Sequence, residues 1–576
     1  MSLILSNANI HTSDPERPHA DTIVIDGEHI AFVGAADSWD APEGSDTVDL
    51  GGRTIVAGFV DAHAHPAMIS RSAWHTTLPW THDAEELLEF VRRYAAEHPR
   101  DEAPYLYFEY YPSTLFPAGQ PTKELLDRVV DDRPVLCTDF SDHEHWVNSR
   151  MLELMGVTAR TPDPIPGLQV FVRDEDGEPT GLLREFAHLP FLETMYDRLG
   201  WRPPEHITPE LLAPVLDQLT ANGVTAVFEA ILEDDEVLAA AQELDRRGEL
   251  DLYYEGAVVF RELRELPTAL EKAHEYHERY GGARIRVRTL KLMLDGTNES
   301  GNSAVLEPLC RAGNGHELGE MAMSTEELTS CLLTCNDDGT DLHVHLVGDR
   351  SFRSACDAVA AARTACAATG TPWRTQVTLA HCELVDPADM HRPAELGIIV
   401  NWTPHWSGGY FGEEGRAHLG DGRWNRMYRF TEFVASGATL TFGSDTVTQY
   451  EAHRGSPLFG MQVAATRVDP EFPLDASRYP RGVRPPEDAG LGPDVLLRGH
   501  TLDAARQLRL DDRMGSLTPG KLANLVVLGE DPLTVDPSRL SEVTVDAVVF
   551  EGTVVAGSLP FGTESPAPSR SGATPV

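Results

Sequence analysis

Thr54-Ile-Val-Ala-Gly-Phe-Val-Asp-Ala-His-Ala-His-Pro66 is an apolar run that ends in two histidines one residue apart. Side chains alternate faces along an extended chain, so His63 and His65 share a side and can share a metal ion. Taken alone, the pair reads equally well as two polar residues at a strand end. Its weight rises because further apolar runs downstream also close on metal-competent residues.

Those runs are 224–229, 252–259, 285–291, 342–345, 376–381, 398–402 and 438–445, and helical patterns separate them. With the opening run they make eight. Strands alternating with helices predict an α/β fold with a parallel sheet, and eight units predict a (β/α)8 TIM barrel with its chemistry at the strand C-terminal ends. The ends carry His63 and His65 on the first strand, Lys291 on the fourth, His345 on the fifth, His381 on the sixth and Asp445 on the eighth.

Short β-patterned runs lie at both termini, among them Thr22-Ile-Val-Ile-Asp-Gly-Glu-His-Ile-Ala-Phe-Val-Gly34, whose Asp26-Gly27 marks a hairpin. Residues 1–57 plus 513–560 are therefore expected to form one small composite β-sandwich, and 58–67 plus 211–512 the barrel. Roughly 155 residues separate the first two barrel strands, far beyond an ordinary connection. Residues 68–210 are read as an inserted α/β domain that shapes substrate access, and 561–576, rich in Ser, Pro, Gly and Thr, as a disordered tail.

A formal charge of −44 on 576 residues argues against nucleic acid or an anionic membrane as partner. No stretch reaches the roughly 18–20 apolar residues of a membrane helix. Seven cysteines, odd in number and without a Cys-x-x-Cys pair, read as thiols in a reducing compartment, so a cytoplasmic enzyme is expected. A homodimer is the base-rate expectation.

In their order, several motifs resemble the amidohydrolase superfamily, and more closely its amidohydrolase-3 branch, which includes N-substituted formamide deformylases. They are Gly58-Phe-Val-Asp-Ala-His-Ala-His-Pro66, Trp146-Val-Asn-Ser149, Asp176-Gly-Glu-Pro-Thr-Gly-Leu-Leu-Arg-Glu185, Lys291-Leu-Met-Leu-Asp-Gly296, His345-Leu-Val-Gly-Asp349, Phe442-Gly-Ser-Asp445 and Gly515-Ser-Leu-Thr-Pro-Gly-Lys-Leu-Ala523. The resemblance implies that His63, His65 and Asp445 bind one metal, that His345 and His381 bind a second, and that a carboxylated Lys291 bridges both. Zn²⁺ suits such ligands best, while Mn²⁺, Fe²⁺ and Co²⁺ tolerate them. The two divalent ions would activate water for attack on an amide or formamide carbonyl of a small molecule, with Asp445 as the catalytic proton carrier.

Candidate substrate contacts are His143, Trp146 and Asn148 in the insert, His343 on the fifth strand, and Trp402 and Trp406 in a stretch with His405 and Tyr410 expected to overhang the site. For Asn148 a helix cap is an equal reading, and for His343 a packed core histidine. Asp61, Asp295 and Asp349 stand beside ligands as candidates to orient imidazoles. Two positions depart from the branch pattern: Asn524 in place of aspartate, and Glu229 in place of a shorter acid. Two other functions compete. A mononuclear aminohydrolase, a deaminase of a heterocycle, is disfavoured by Lys291 and by Gly348, which stands where such enzymes carry a shuttling glutamate. A catalytically inactive scaffold is disfavoured by the complete ligand set.

Overall fold

The computed structural model describes residues 2–560 except 40–43, 82, 113–114, 117–120, 313–315, 410–412 and 414. Tyr410 and the 561–576 tail thus lie outside the described residues.

Eight strands form one parallel sheet in sequence order. They are Phe59–Ala64, Val224–Leu232, Tyr253–Phe260, Ile285–Met293, Asp341–Leu346, Val377–His381, Ile399–Trp402 and Thr439–Phe442. Each pairs in parallel with its neighbour. Most strand residues are buried on both faces, because helices cover the outside. Small side chains such as Val60, Ala62, Ala226 and Ala257 pack with Ala504, Ala505 and Leu508 at one end of the barrel. There Gln507 donates to the Ala62 carbonyl at 2.7 Å and accepts from Thr441.

The remaining gap, between the first and eighth strands, is closed by loop contacts. Asp445 N donates to the His63 carbonyl at 2.8 Å, and Ser444 N to Asp61 Oδ1 at 2.9 Å. Gly443 permits this approach, since a Cβ there would stand 2.4 Å from His63 N.

The opening apolar run is divided between two sheets. Thr54–Ala57 joins a six-stranded terminal sheet, and the barrel begins at Phe59. Gly58 lies at the change of sheet, where a Cβ would meet the Thr225 side chain at 2.2 Å. Thr54–Ala57 pairs on one side with Asn9–His11 and on the other with Leu525–Leu528, so both ends of the chain build one sheet. A second, four-stranded sheet carries the expected hairpin, with Gly27 at φ +59° and Asp26 paired to His29. Leu5, Ile23 and Val33 share a core with Ile55, Leu525 and Val549 between the two sheets.

Between the first two barrel strands the chain forms a separate six-stranded mixed sheet. Its centre holds Leu106–Tyr111 and Val135–Asp139 in parallel, followed by Glu144–Val147 and Pro179–Arg184. Trp146 belongs to this sheet's core: it is fully buried, packs on Phe116 and Tyr111, and donates Nε1–H to the Thr122 carbonyl at 2.9 Å. Asn148 caps the helix Ser149–Met155. Its Oδ1 accepts from Met151 N and Val135 N, and its Nδ2 donates to the Val130 and Arg133 carbonyls. All four hydrogen bonds go to backbone, so Asn148 fastens the insert, and it does not line the cavity described below. Trp402 likewise points into the wall, stacked on Phe430 at 3.7 Å, because Asn401 takes the inward face of that strand.

Asn148→Ala would orphan two buried carbonyls and two buried N–H groups. It is expected to cost about 2–4 kcal/mol in urea melts, while metal content of the surviving folded fraction stays unchanged.

Candidate metal centre

Asp445 is the hub on which the strand-end residues converge. His63, His65 and Asp445 offer ligand atoms within 4.8 Å of one another, and all three are buried. Asp445 Oδ1 lies 2.9 Å from His65 Nε2 and 3.5 Å from His63 Nε2, and Oδ2 lies 3.4 Å from His381 Nδ1. Lys291 Nζ reaches His63 Nε2 at 3.3 Å, and the His345 and His381 rings are 4.6 Å apart. Six residues drawn from five strand ends therefore meet at one mouth of the barrel.

Backbone geometry helps to bring them there. His381, Cys382 and Asp445 sit in the left-handed region at φ +73°, +43° and +51°. Such conformations cost about 1–3 kcal/mol each for non-glycine residues and persist where the surroundings over-determine them. The Asp445 N–H bond to His63 is one such restraint.

Each histidine of the first strand is oriented from behind. His343 Nε2 lies 3.1 Å from His63 Nδ1, an arrangement that fits donation from His63 Nδ1 and leaves its Nε2 lone pair for a cation. His343 thus stands behind a ligand and does not line the cavity. Glu229 Oε1 faces His65 Nδ1 at 3.6 Å, while its Oε2 accepts from Ala67 N and the Tyr254 hydroxyl. Sequence reasoning left Glu229 without a role because of its length. Here the longer arm spans the gap to His65.

Asp61, Asp295 and Asp349 hold backbone instead of imidazoles. Asp61 receives the amides of His63 and Ser444; Asp295 receives those of Val347, Gly348 and Ala304; Asp349 receives that of Leu306. The acids fix the loops that carry the ligands.

Burial holds His63, His345 and His381 far below the usual imidazole range, and the Lys291 charge pushes them the same way. They are neutral and so able to donate lone pairs. Burial alone would lower His65 too, but the Asp445 and Glu229 carboxylates on either side of the ring outweigh this and raise it to about 9. Burial also brings Lys291 down to about 8, against the opposing pull of Asp445.

A cavity of about 90 Å³ opens over this cluster. His143 and Trp406, both singled out by sequence, line it, and Trp146, Asn148, His343 and Trp402 do not. Trp406 stacks on His381 at 5.3 Å, and His143 lies 5.5 Å from His345. Glu185 Oε2 holds His143 Nδ1 at 2.8 Å, and its Oε1 accepts from Asn302 at 3.1 Å. Burial opposes charge on His143, but Glu185 overcomes it and raises the imidazole to about 9. Glu185 closes one of the quoted motifs, so its position was visible in the sequence although its task was not. Asp142, Glu299, Glu383 and Glu451 also line the cavity and carried no spacing signal.

Residues 46–556 match the sequence profile of the amidohydrolase family. The chain belongs to that family. This amidohydrolase is accordingly a metal-dependent hydrolase of carbon–nitrogen bonds. It is 25% identical to an N-substituted formamide deformylase of Arthrobacter pascens, over 96% of this chain and 98% of that protein. It is 27% identical to the exoenzymes regulatory protein AepA of Pectobacterium carotovorum, over 76% of this chain and 92% of the relative. A metal-dependent hydrolase of uncharacterized function from Pyrococcus horikoshii shares the fold, at a TM-score of 0.66 and 22% identity over 93% of this chain and 99% of that one.

Glu229→Gln keeps the shape behind His65 and removes the charge. Chelator competition is expected to show metal affinity reduced by about 10–100-fold, with the melting profile little changed.

Proposed function

We propose that this amidohydrolase hydrolyses a small N-substituted amide or formamide at a binuclear centre. The observation that carries the reading is the convergence of His63, His65, Lys291, His345 and His381 around Asp445. These residues fit divalent cations: three imidazoles are held neutral, and His345 Nε2 and His381 Nδ1 are buried without a hydrogen-bond partner. His63, His65 and Asp445 would hold one ion and His345 and His381 the other, with zinc the best match to imidazole and carboxylate.

Lys291, as a carbamate, would hold both. Burial lowers it to about 8, which leaves a minor neutral fraction near pH 7 whose nitrogen would attack carbon dioxide and release a proton. A divalent pair bound here supplies Lewis acidity, which makes water nucleophilic near neutral pH and draws electron density from the carbonyl oxygen.

The protein supplies the rest. Asp445, fixed by His65 and 3.5 Å from the Thr403 hydroxyl, takes the proton of the attacking water and delivers it to the departing nitrogen. His143, kept protonated by Glu185, presents a positive N–H group beside His345, where charge develops on the carbonyl oxygen. Trp406 stacks on His381 and closes one wall against water.

A single ion per chain with unmodified Lys291 would favour the mononuclear aminohydrolase reading. The three-residue group His63, His65 and Asp445 is the observation in its favour. The scaffold reading draws on the regulatory name of one relative, and the intact ligand set weighs against it. The seven cysteines are all free and six are buried, which supports a reducing, cytoplasmic location. Among the described residues no helix is long and apolar enough to cross a membrane.

Metal analysis of the purified protein is expected to give two ions per chain, falling to one or none in Lys291→Ala. Asp445→Asn is expected to lower kcat by about 10²–10⁴-fold on an amide substrate. Wild-type turnover by Asp445→Asn with full metal content would overturn the proton-carrier role.

A further inference from the structure

A second cavity, of about 210 Å³, adjoins the one over the metal centre and is more than twice its size. Met68, Asp142, Phe186, Ile231, Met293 and Val447 line both, so they form a collar through which the two communicate. Beyond the collar the lining includes Tyr105, Tyr107, Leu136, Leu189, Leu192 and Tyr196, all from the insert. Arg71, His75, Glu109, Glu205, Glu233 and Arg261 also line it, so the aromatic and aliphatic side is the one that favours a flat, apolar occupant.

Asp142 is the polar exception in the collar. Among the described residues its carboxylate accepts no hydrogen bond, and it stands at φ +60°, with Phe186 opposite in the same strained region at φ +62°. Two strained residues at one constriction mark a position that the surrounding fold enforces. The charged groups facing Asp142 are Asp139, His143, Glu109 and His75, and each of these has a partner elsewhere. Its acceptor capacity is therefore left for what passes through the collar.

We infer that the second cavity receives the substituent on the amide nitrogen, an apolar ring-bearing group, and that Asp142 accepts the N–H of the scissile amide. A carbonyl has no proton to give a carboxylate, whereas a secondary amide nitrogen has one. With the carbonyl turned to the metal centre, an N–H on Asp142 directs the nitrogen's other substituent through the collar. The inner cavity is small and suits a short acyl group such as formyl. This assignment rests on the proposed amide hydrolysis and adds the side of the substrate that confers selectivity.

The test compares N-methylformamide, N-phenethylformamide and N-methyl-N-phenethylformamide on the metal-loaded full chain. Wild type is expected to prefer the phenethyl over the methyl compound by about 10–100-fold in kcat/KM. Leu192→Trp fills the outer cavity and is expected to lower kcat/KM for the phenethyl compound by at least about tenfold, leaving the methyl compound within about twofold. Leu192→Phe should act in the same direction and serves if the tryptophan variant fails to fold. Asp142→Ala, which removes the acceptor, is expected to slow both secondary amides and to leave the tertiary one, which has no N–H, within about twofold.

Equal loss on both secondary substrates in Leu192→Trp, or no preference in wild type, would overturn the assignment. Turnover of none of the three by metal-loaded wild type would instead count against amide hydrolysis. Calorimetry with N-phenethylformamide then decides the cavity alone: binding that Leu192→Trp abolishes supports it, and absence of binding overturns it.

Discussion

The Asp445 N–H to His63 carbonyl bond joins the first and last barrel strands where no strand ladder does, and the chemistry depends on it. It sets Asp445 against the paired histidines and, with the Ser444 N–H bond to Asp61, closes the seam of the barrel. It requires Gly443 to lie flat on the His63 backbone and requires Asp445 to accept a left-handed conformation. Strain at the seam is the physical cost of turning Asp445 into the mouth.

Burial then decides the charge states. With water excluded, His63, His345 and His381 are neutral because burial penalises the charged ring, and an unmodified Lys291 pushes the same way. His343 behind His63, and Glu229 behind His65, fix the rings by contacts that never reach the cavity. The insert contributes a different kind of part. It brings His143, held by Glu185, and Glu185 is in turn tied to Asn302 on the loop after the fourth strand. Insert and barrel are thus coupled through one carboxylate at the edge of the site.

Much of this was legible in the sequence, because strand-end positions are set by local periodicity. Eight apolar runs with helices between them specify a parallel barrel, and parity alone places His63 with His65. The aromatic residues were less legible. Trp402 and Trp406 are four residues apart, yet one faces the helices and stacks on Phe430 while the other faces His381. The strand ends between them, and sequence does not mark where alternation stops. Trp146 and Asn148 shared a motif with His143, but motif membership does not separate residues that build the insert from those it presents. Glu229 was discounted by length, and distance across a barrel is a three-dimensional quantity. The acids around the cavity come from four separate segments without common spacing, so only the fold assembles them.

The sheet shared by the two termini also bears on synthesis of the chain. Thr54–Ala57 waits for Leu525–Leu528, a partner about 470 residues downstream. At about 5–20 residues per second a ribosome needs roughly 25–95 s to deliver it. Through that interval one edge of an apolar strand, joined by Gly58 to the strand that bears His63 and His65, has no ladder partner. The metal centre is therefore among the last parts of the molecule to be secured, and a nascent chain has a long window in which that edge is open to wrong pairing.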